Sequence, residues 1–262
     1  MVTPRPSRHP YFIAQRRLQP AYRLLLRLAL AGLNIGIDGG PARSGERAAL
    51  RAVLPDANRQ YRVLDVGANV GNYAAEVLNI TNRNARIDCF EPSAAAYAQL
   101  TTRFAGVPNV TTHHFGIGDK EASIPLYSDA PGSPLSSTFP RQLGYIGVSM
   151  ERQETVRLRR LDMVCAELGI DGIDLLKLDV EGAELSALLG AGELLESGAI
   201  RTIQFEFGGC NIDSRTFFRD FWELLIPKYR MFRIVYDGLA PINRYAEQLE
   251  QFVTTNYVAV WR

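Results

Sequence analysis

The chain has 262 residues, of which 47 % are hydrophobic and 22 % charged, the composition of a folded domain with ample core rather than of a disordered or fibrous chain. A formal net charge of +1 supplies no overall field that would recruit nucleic acid. Its three cysteines, Cys89, Cys165 and Cys210, are odd in number, widely separated and without C-x-x-C spacing, which argues against a disulfide framework and a zinc site and suits a cytoplasmic protein.

Charge is uneven along the chain. Residues 1–37 hold Arg5, Arg8, Arg16, Arg17, Arg23 and Arg27 and no acid, which leaves a net −5 on the remainder against +1 overall. Leu24 to Leu33 is apolar, but Arg27 interrupts it, it is too short to span a bilayer, and no small-residue cleavage site follows it. Residues 1–43 are therefore expected to form a basic helical arm that packs on the following domain or on a partner subunit, with peripheral contact to anionic lipid as the alternative.

From residue 44 to 262 strands and helices alternate in the manner of one parallel α/β domain. A helix over Arg47–Leu54 stops at Pro55. A strand over Arg62–Val66 then runs into Gly67-Ala68-Asn69-Val70-Gly71 and a helix over Asn72–Leu78. Such a turn leaves helix N–H groups facing a ligand, with Cβ-free positions where backbone and ligand approach. The next strand, Arg86–Phe90, ends on Glu91-Pro92, and Ser93 caps a helix through Phe104. Glu91 follows Gly71 by 20 residues, the place where a carboxylate meets the ribose hydroxyls of a nucleoside. Asn69 stands where a dinucleotide-binding turn carries its middle glycine, and no lysine follows to make a phosphate loop.

A third strand over Val110–Phe115 contains His113 and His114, whose side chains point to opposite faces. Residues 121–160 carry four prolines and the cluster Ser133, Ser136, Ser137 and Thr138, and read as an irregular insertion serving as a substrate lid. A fourth strand, Leu175–Leu178, leads to Asp179, Glu181 and Gly182 and a helix over Ala183–Leu195. A fifth strand, Thr202–Phe207, carries Glu206. Met231–Tyr236, the turn Asp237-Gly238 and a last strand over Asn256–Trp261 close the chain. Carboxylates at strand ends among apolar neighbours are costly without a partner or a purpose.

The turn D-x-G-A-N-x-G resembles the first motif of S-adenosylmethionine-dependent methyltransferases. With Phe90-Glu91-Pro92, Gly118-Asp119, Leu161-Asp162, the run from Lys177 to Glu184 and Phe205-Glu206-Phe207, the chain from about Gly45 to Arg262 resembles the FkbM family of methyltransferases. The resemblance implies a Rossmann-like class I methyltransferase fold: α/β, with a doubly wound, seven-stranded, mostly parallel sheet and an antiparallel last strand. It implies S-adenosylmethionine held by Asp65, Gly67, Asn69, Gly71, Asn72, Glu91 and Pro92, with Ile117 and Asp119 near adenine, and an acceptor site shaped by Asp179, Glu181 and Glu206. The implied reaction is O-methylation of a sugar, glycan or secondary metabolite.

Methyl transfer from a sulfonium is an in-line displacement, and an aliphatic hydroxyl must lose its proton as it attacks. Asp179 is the first candidate base and Glu206 the second, with Glu181 beside them and His113 or His114 as alternatives. A divalent metal on Asp179 with Glu181 or Glu206 would suit oxygen ligands, although no spacing demands one. The expected partner is a small-molecule or glycan acceptor, not nucleic acid, and a homo-oligomer stays open. The competing functions are N-methylation within the same fold, against which no N-P-P-Tyr-type step follows the fourth strand, and a non-catalytic S-adenosylmethionine-binding module.

Overall fold

Strands buried along almost their whole length need cover on both faces, and that requirement organises this molecule. The computed structural model describes residues 14–37 and 44–262. In chain order the elements are α1 (Gln19–Gly32), α2 (Glu46–Val53), β1 (Tyr61–Val66), α3 (Asn72–Ile80), β2 (Ala85–Phe90), α4 (Ala94–Arg103), β3 (Val110–His113), β4 (Gly116–Ile117), β5 (Ala122–Ser128) and β6 (Arg152–Arg159). There follow α5 (Leu161–Leu168), β7 (Leu175–Leu178), α6 (Glu184–Leu189), α7 (Gly192–Ser197), β8 (Thr202–Phe207), α8 (Cys210–Ser214), α9 (Phe218–Leu225), β9 (Tyr229–Val235), β10 (Gly238–Ile242) and β11 (Thr255–Trp261).

The main sheet has eight strands in the order β10-β9-β11-β8-β7-β1-β2-β3. From β8 to β3 all neighbours are parallel, and β11 lies antiparallel to both β8 and β9. This is the expected doubly wound sheet with an antiparallel last strand, enlarged from seven strands to eight because Asp237-Gly238 turns β9 back on itself as the hairpin partner β10. Strand order reverses at β1, which is flanked by β2 and β7, so the crevice for a ligand opens at the carboxyl ends of those strands.

Alternation along the central strands splits the core into two layers. Leu64, Leu176 and Phe205 face one, with Phe218, Phe221 and Tyr257; Val63, Leu175 and Ile87 face the other, with Tyr73, Val77 and Leu100. Asp65 pairs in register with Lys177, and Lys177 with Gln204, so a polar row crosses the middle of the sheet among apolar neighbours.

The insertion is more regular than its composition suggests. Its stem is an antiparallel hairpin, β5 with β6, which joins β4 in a second, three-stranded sheet. Pro125 reads as a breaker in sequence, yet β5 is an edge strand, where a missing donor is tolerated. The expected third strand ends at His113, and Gly116–Ile117 belong to this smaller sheet. The expected helix over 183–195 is two helices, α6 and α7, because Gly190 lies against the turn after β4: a Cβ there would sit 2.0 Å from the Gly118 carbonyl oxygen. Ser93 occupies the N-cap of α4 with extended backbone, but its hydroxyl makes no cap bond; Glu154 of β6 accepts the Ala94 N–H instead.

Of the N-terminal arm, Arg5 and Arg8 lie outside the described residues. The helix forms, as α1, but it buries none of its residues, so it does not pack on the catalytic domain as expected. The chain is fastened only beyond it, where Ile35 is buried and the Asn34 amide donates to the carbonyls of Ser44 and Ile234. No helix among the described residues is long and apolar enough to cross a membrane. Cys89, Cys165 and Cys210 are buried free thiols.

Phe205 is fully buried and stacks on Phe221 with ring centroids 4.7 Å apart. Phe205→Ala is expected to lower the unfolding free energy by about 3–5 kcal/mol in urea denaturation, whereas Leu189→Ala, at a half-exposed position, is expected to cost under about 0.5 kcal/mol.

Candidate active site

The turn from β1 into α3 carries left-handed backbone at Gly67, Asn69 and Gly71. What demands glycine at position 67 is the chain itself: a Cβ there would stand 1.9 Å from the Asp179 carbonyl oxygen, at the end of the neighbouring strand β7. Gly71 is likewise pressed against the Phe104 ring. Asn69 accepts its left-handed geometry as asparagine commonly does, and its backbone N–H donates to Glu91 Oε2 at 2.8 Å. Ser93 N–H donates to Glu91 Oε1, also at 2.8 Å. Burial pushes this carboxyl up to about 7, against the pull of those two backbone donors. Each oxygen keeps lone pairs free for a further donor.

Glu91 borders a cavity lined by Gly67, Asn69, Pro92, Ile117, Asp179 and Glu181 on the sheet side. The insertion supplies the opposite wall through Ser133, Pro134, Ser136 and Thr138. It is fastened there by Ser137, whose hydroxyl donates to the Glu181 carbonyl at 2.6 Å, and by Arg141, whose Nη1 lies 2.5 Å from Glu181 Oε2.

A second cavity shares Gly67, Asn69, Pro134 and Asp179 with the first and continues past Asp65, Asn72, Lys177 and Glu206. Lys177 is only 2 % exposed; its Nζ lies 2.8 Å from Asp179 Oδ2 and 5.0 Å from the centre of the Tyr73 ring. Burial alone would pull this ammonium down, yet the carboxylates of Asp179, Glu46 and Asp65 together push it above the ordinary lysine range. Asp65 is 1 % exposed, and burial pushes it up to about 7 although Lys177 opposes the shift; its Oδ2 has no hydrogen-bond partner.

The acidic residues separate by environment. Asp179 borders both cavities, Glu206 only the second and Glu181 only the first. Burial, then Asp179 and Glu181, hold Glu206 well above the carboxylate range, which favours its neutral form. Glu181 is raised by burial and by Asp179 and restrained by Arg141. Glu184 is spent on the backbone, accepting from the N–H groups of Val180 and Gly182 at the start of α6.

Other expected residues lie elsewhere. Asp119 does not border the cavity; its Oδ1 accepts from the Ser186 hydroxyl at 3.0 Å, so the turn after β4 is tied to α6 while Ile117 alone reaches the cavity. Asn72 lines the second cavity with its Oδ1 accepting from Arg103. His113 lies 3.0 Å from Asp88 and stacks on Phe90, His114 stacks on Tyr97, and neither lines either cavity, which removes both as candidate bases. No motif singles out Glu46, Tyr73 or Arg141, and Lys177 enters only as the first residue of the run to Glu184. A lysine inside the apolar run L-L-K-L signals a buried partner, whereas nothing in the sequence near Arg141 points to Glu181.

Among the described residues, one group could hold a metal: Glu181, Glu206 and Cys210 place a ligand atom each within 4.8 Å of one another. It differs from the expected Asp179 pairing. Arg141 already holds Glu181, and burial pushes the Cys210 thiol up towards its neutral, poorly coordinating form.

The raised carboxyls set a pH dependence. Glu91 binds its proton up to about 7 when folded and only to about 4.5 when unfolded, so its contribution to stability is present below 4.5 and is lost as pH rises to 7. Urea unfolding of Glu91→Gln beside the unaltered chain is expected to show the variant gaining in relative stability across that window; a constant difference would refute the assignment.

The profile of the methyltransferase FkbM domain matches residues 65–234. The chain is 29 % identical over 142 residues to the 2-O-methyltransferase NoeI of Sinorhizobium fredii, covering 51 % of this chain and 58 % of that protein. It is 28 % identical over 154 residues to the hexuronic acid methyltransferase AglP of Haloferax volcanii, covering 58 % and 59 %. This chain thus spans less than two thirds of the length of either relative. Among solved structures, the methyltransferase FkbM of Methylobacillus flagellatus superposes with a TM-score of 0.47 at 15 % identity, over 92 % of this chain and 59 % of that one.

Proposed function

Because this chain belongs to the FkbM methyltransferase family, we propose that it transfers a methyl group from S-adenosylmethionine to a hydroxyl group of a sugar, glycan or secondary metabolite. The observation that carries the reading is the position of Asp179, the acidic side chain common to the walls of both cavities. One cavity has the features of a nucleoside site, and the other is polar enough for a hydroxylated acceptor. The names of NoeI, a 2-O-methyltransferase, and AglP, a hexuronic acid methyltransferase, support an oxygen nucleophile on a sugar.

The residues present fit the donor. Glu91, with both oxygens oriented by backbone N–H groups, would hold ribose hydroxyls, and the apolar faces of Pro92 and Ile117 would flank adenine. The buried, unpartnered Asp65 Oδ2, in the wall of the second cavity, would receive the amino group of the methionine end. Bound there, S-adenosylmethionine supplies an electrophilic methyl group on a sulfonium. Asp179 would take the acceptor's proton as the new carbon–oxygen bond forms, with Lys177 fixing its carboxylate from the buried side. Glu206, held towards its neutral form, would donate a hydrogen bond to the acceptor rather than remove its proton. The position of Ser133, Pro134, Ser136 and Thr138 in the cavity wall supports the reading of the insertion as a substrate lid, which would move for exchange.

Titration calorimetry with S-adenosylhomocysteine is expected to show binding that Glu91→Ala weakens about 10- to 100-fold, the loss of charge-assisted hydrogen bonds to two hydroxyls. Asp179→Asn is expected to keep that affinity while lowering labelled methyl transfer to a uronic acid or related sugar about 10²- to 10⁴-fold. Label appearing on amines would favour N-methylation, binding without any transfer would favour a non-catalytic module, and no binding would refute the whole reading.

A further inference from the structure

The arm ahead of the catalytic domain carries a surface that methyl transfer leaves unused. Leu24, Leu25, Leu26 and Leu28 of α1 stand 58 %, 58 %, 57 % and 61 % exposed, on a helix that buries none of its residues. Side chains of this kind normally turn inwards, and clustered exposure marks an interaction surface. At 100° per residue Arg23 and Arg27 fall together, one turn apart, while the leucines spread over much of the remaining circumference. That spread is wider than the narrow seam a partner helix covers, and it suits a helix sunk sideways into a headgroup boundary.

Charge points the same way. Every charged residue from 14 to 37 is an arginine: Arg16, Arg17, Arg23 and Arg27. Such an arm complements an anionic surface and repels a second copy of itself. Its 14 residues are too few to cross a bilayer. Just beyond the helix, the Gly36 N–H donates to the Thr254 carbonyl at 2.8 Å, and Ile37 lines the second cavity together with Glu206.

We propose that α1 lies in the plane of an anionic lipid bilayer, its leucines in the acyl boundary and its arginines among the headgroups, holding the second cavity beside that surface. The proposal does not depend on the methyl-transfer reading. Co-sedimentation of the full chain with phosphatidylcholine vesicles, with and without phosphatidylglycerol, tests it. Pelleting is expected only with the anionic vesicles, weakening as salt rises and falling about fivefold for each of Arg23→Gln and Arg27→Gln. Leu25→Ser/Leu28→Ser is expected to abolish pelleting while circular dichroism melting of the catalytic domain is unchanged. Failure of the unaltered chain to pellet with anionic vesicles, or equal pelleting of the leucine variant, overturns the proposal. So does a dimer that the leucine variant dissociates and vesicles leave untouched.

Discussion

A single ammonium group in the middle of the main sheet constrains everything around it. Lys177 sits on a strand buried on both faces, where an unpaired charge would cost several kcal/mol, a large share of a domain's net stability. Register places Asp65 on one side of it and Gln204 on the other, and the chain returns Asp179 to its Nζ two residues later. The network then extends upwards: Tyr73 donates to Gln204 Oε1 at 2.7 Å, Gln204 donates to Glu46 Oε1 at 2.7 Å, and Ser44 donates to Glu46 Oε2 at 2.9 Å. The start of α2, the strand register and the direction of the Asp179 carboxylate are thus tied to one charge. Removing one member of such a network leaves others desolvated and unpaired, which makes a slipped register costly.

The second organising contact is made by the insertion. Glu181 has left-handed backbone and receives both Ser137 at its carbonyl and Arg141 at its carboxylate. Asn69 donates to the Gly132 carbonyl at 3.3 Å, and Glu154 caps α4. The insertion therefore touches the turns after β1 and β7, both of which border the cavities, and the helix after β2. Its own stem is held by the ordinary pairing of β5 with β6, so the irregular loop hangs from a regular hairpin.

Where periodicity and local chemistry agreed, the sequence could be read. Apolar strands ending in Gly67 or Glu91 lie where their pattern puts them, and both residues border the cavity. The failures come from partners distant in sequence. Pro125 argues for a loop until the edge position of β5 is known. Gly190 reads as a tolerable glycine inside a helix until the Gly118 carbonyl is seen against it. The resemblance implies Asp119 near adenine, and its Oδ1 also accepts from Ser186, 67 residues away, a contact no local pattern announces. Local reasoning names the residues able to do chemistry; which of them stay free depends on contacts that only the folded chain makes.

The contact between Gly67 and the Asp179 carbonyl has a mechanical meaning as well. Two turns that touch without room for a methyl group move as one body, so the wall proposed to hold the donor and the carboxylate proposed to face the acceptor share a single frame. Acceptors of different size or shape cannot be accommodated by spreading that joint. Adaptation is left to the opposite wall, where Ser133, Pro134, Ser136 and Thr138 face the cavity while Ser137 and Arg141 keep the loop fastened to Glu181.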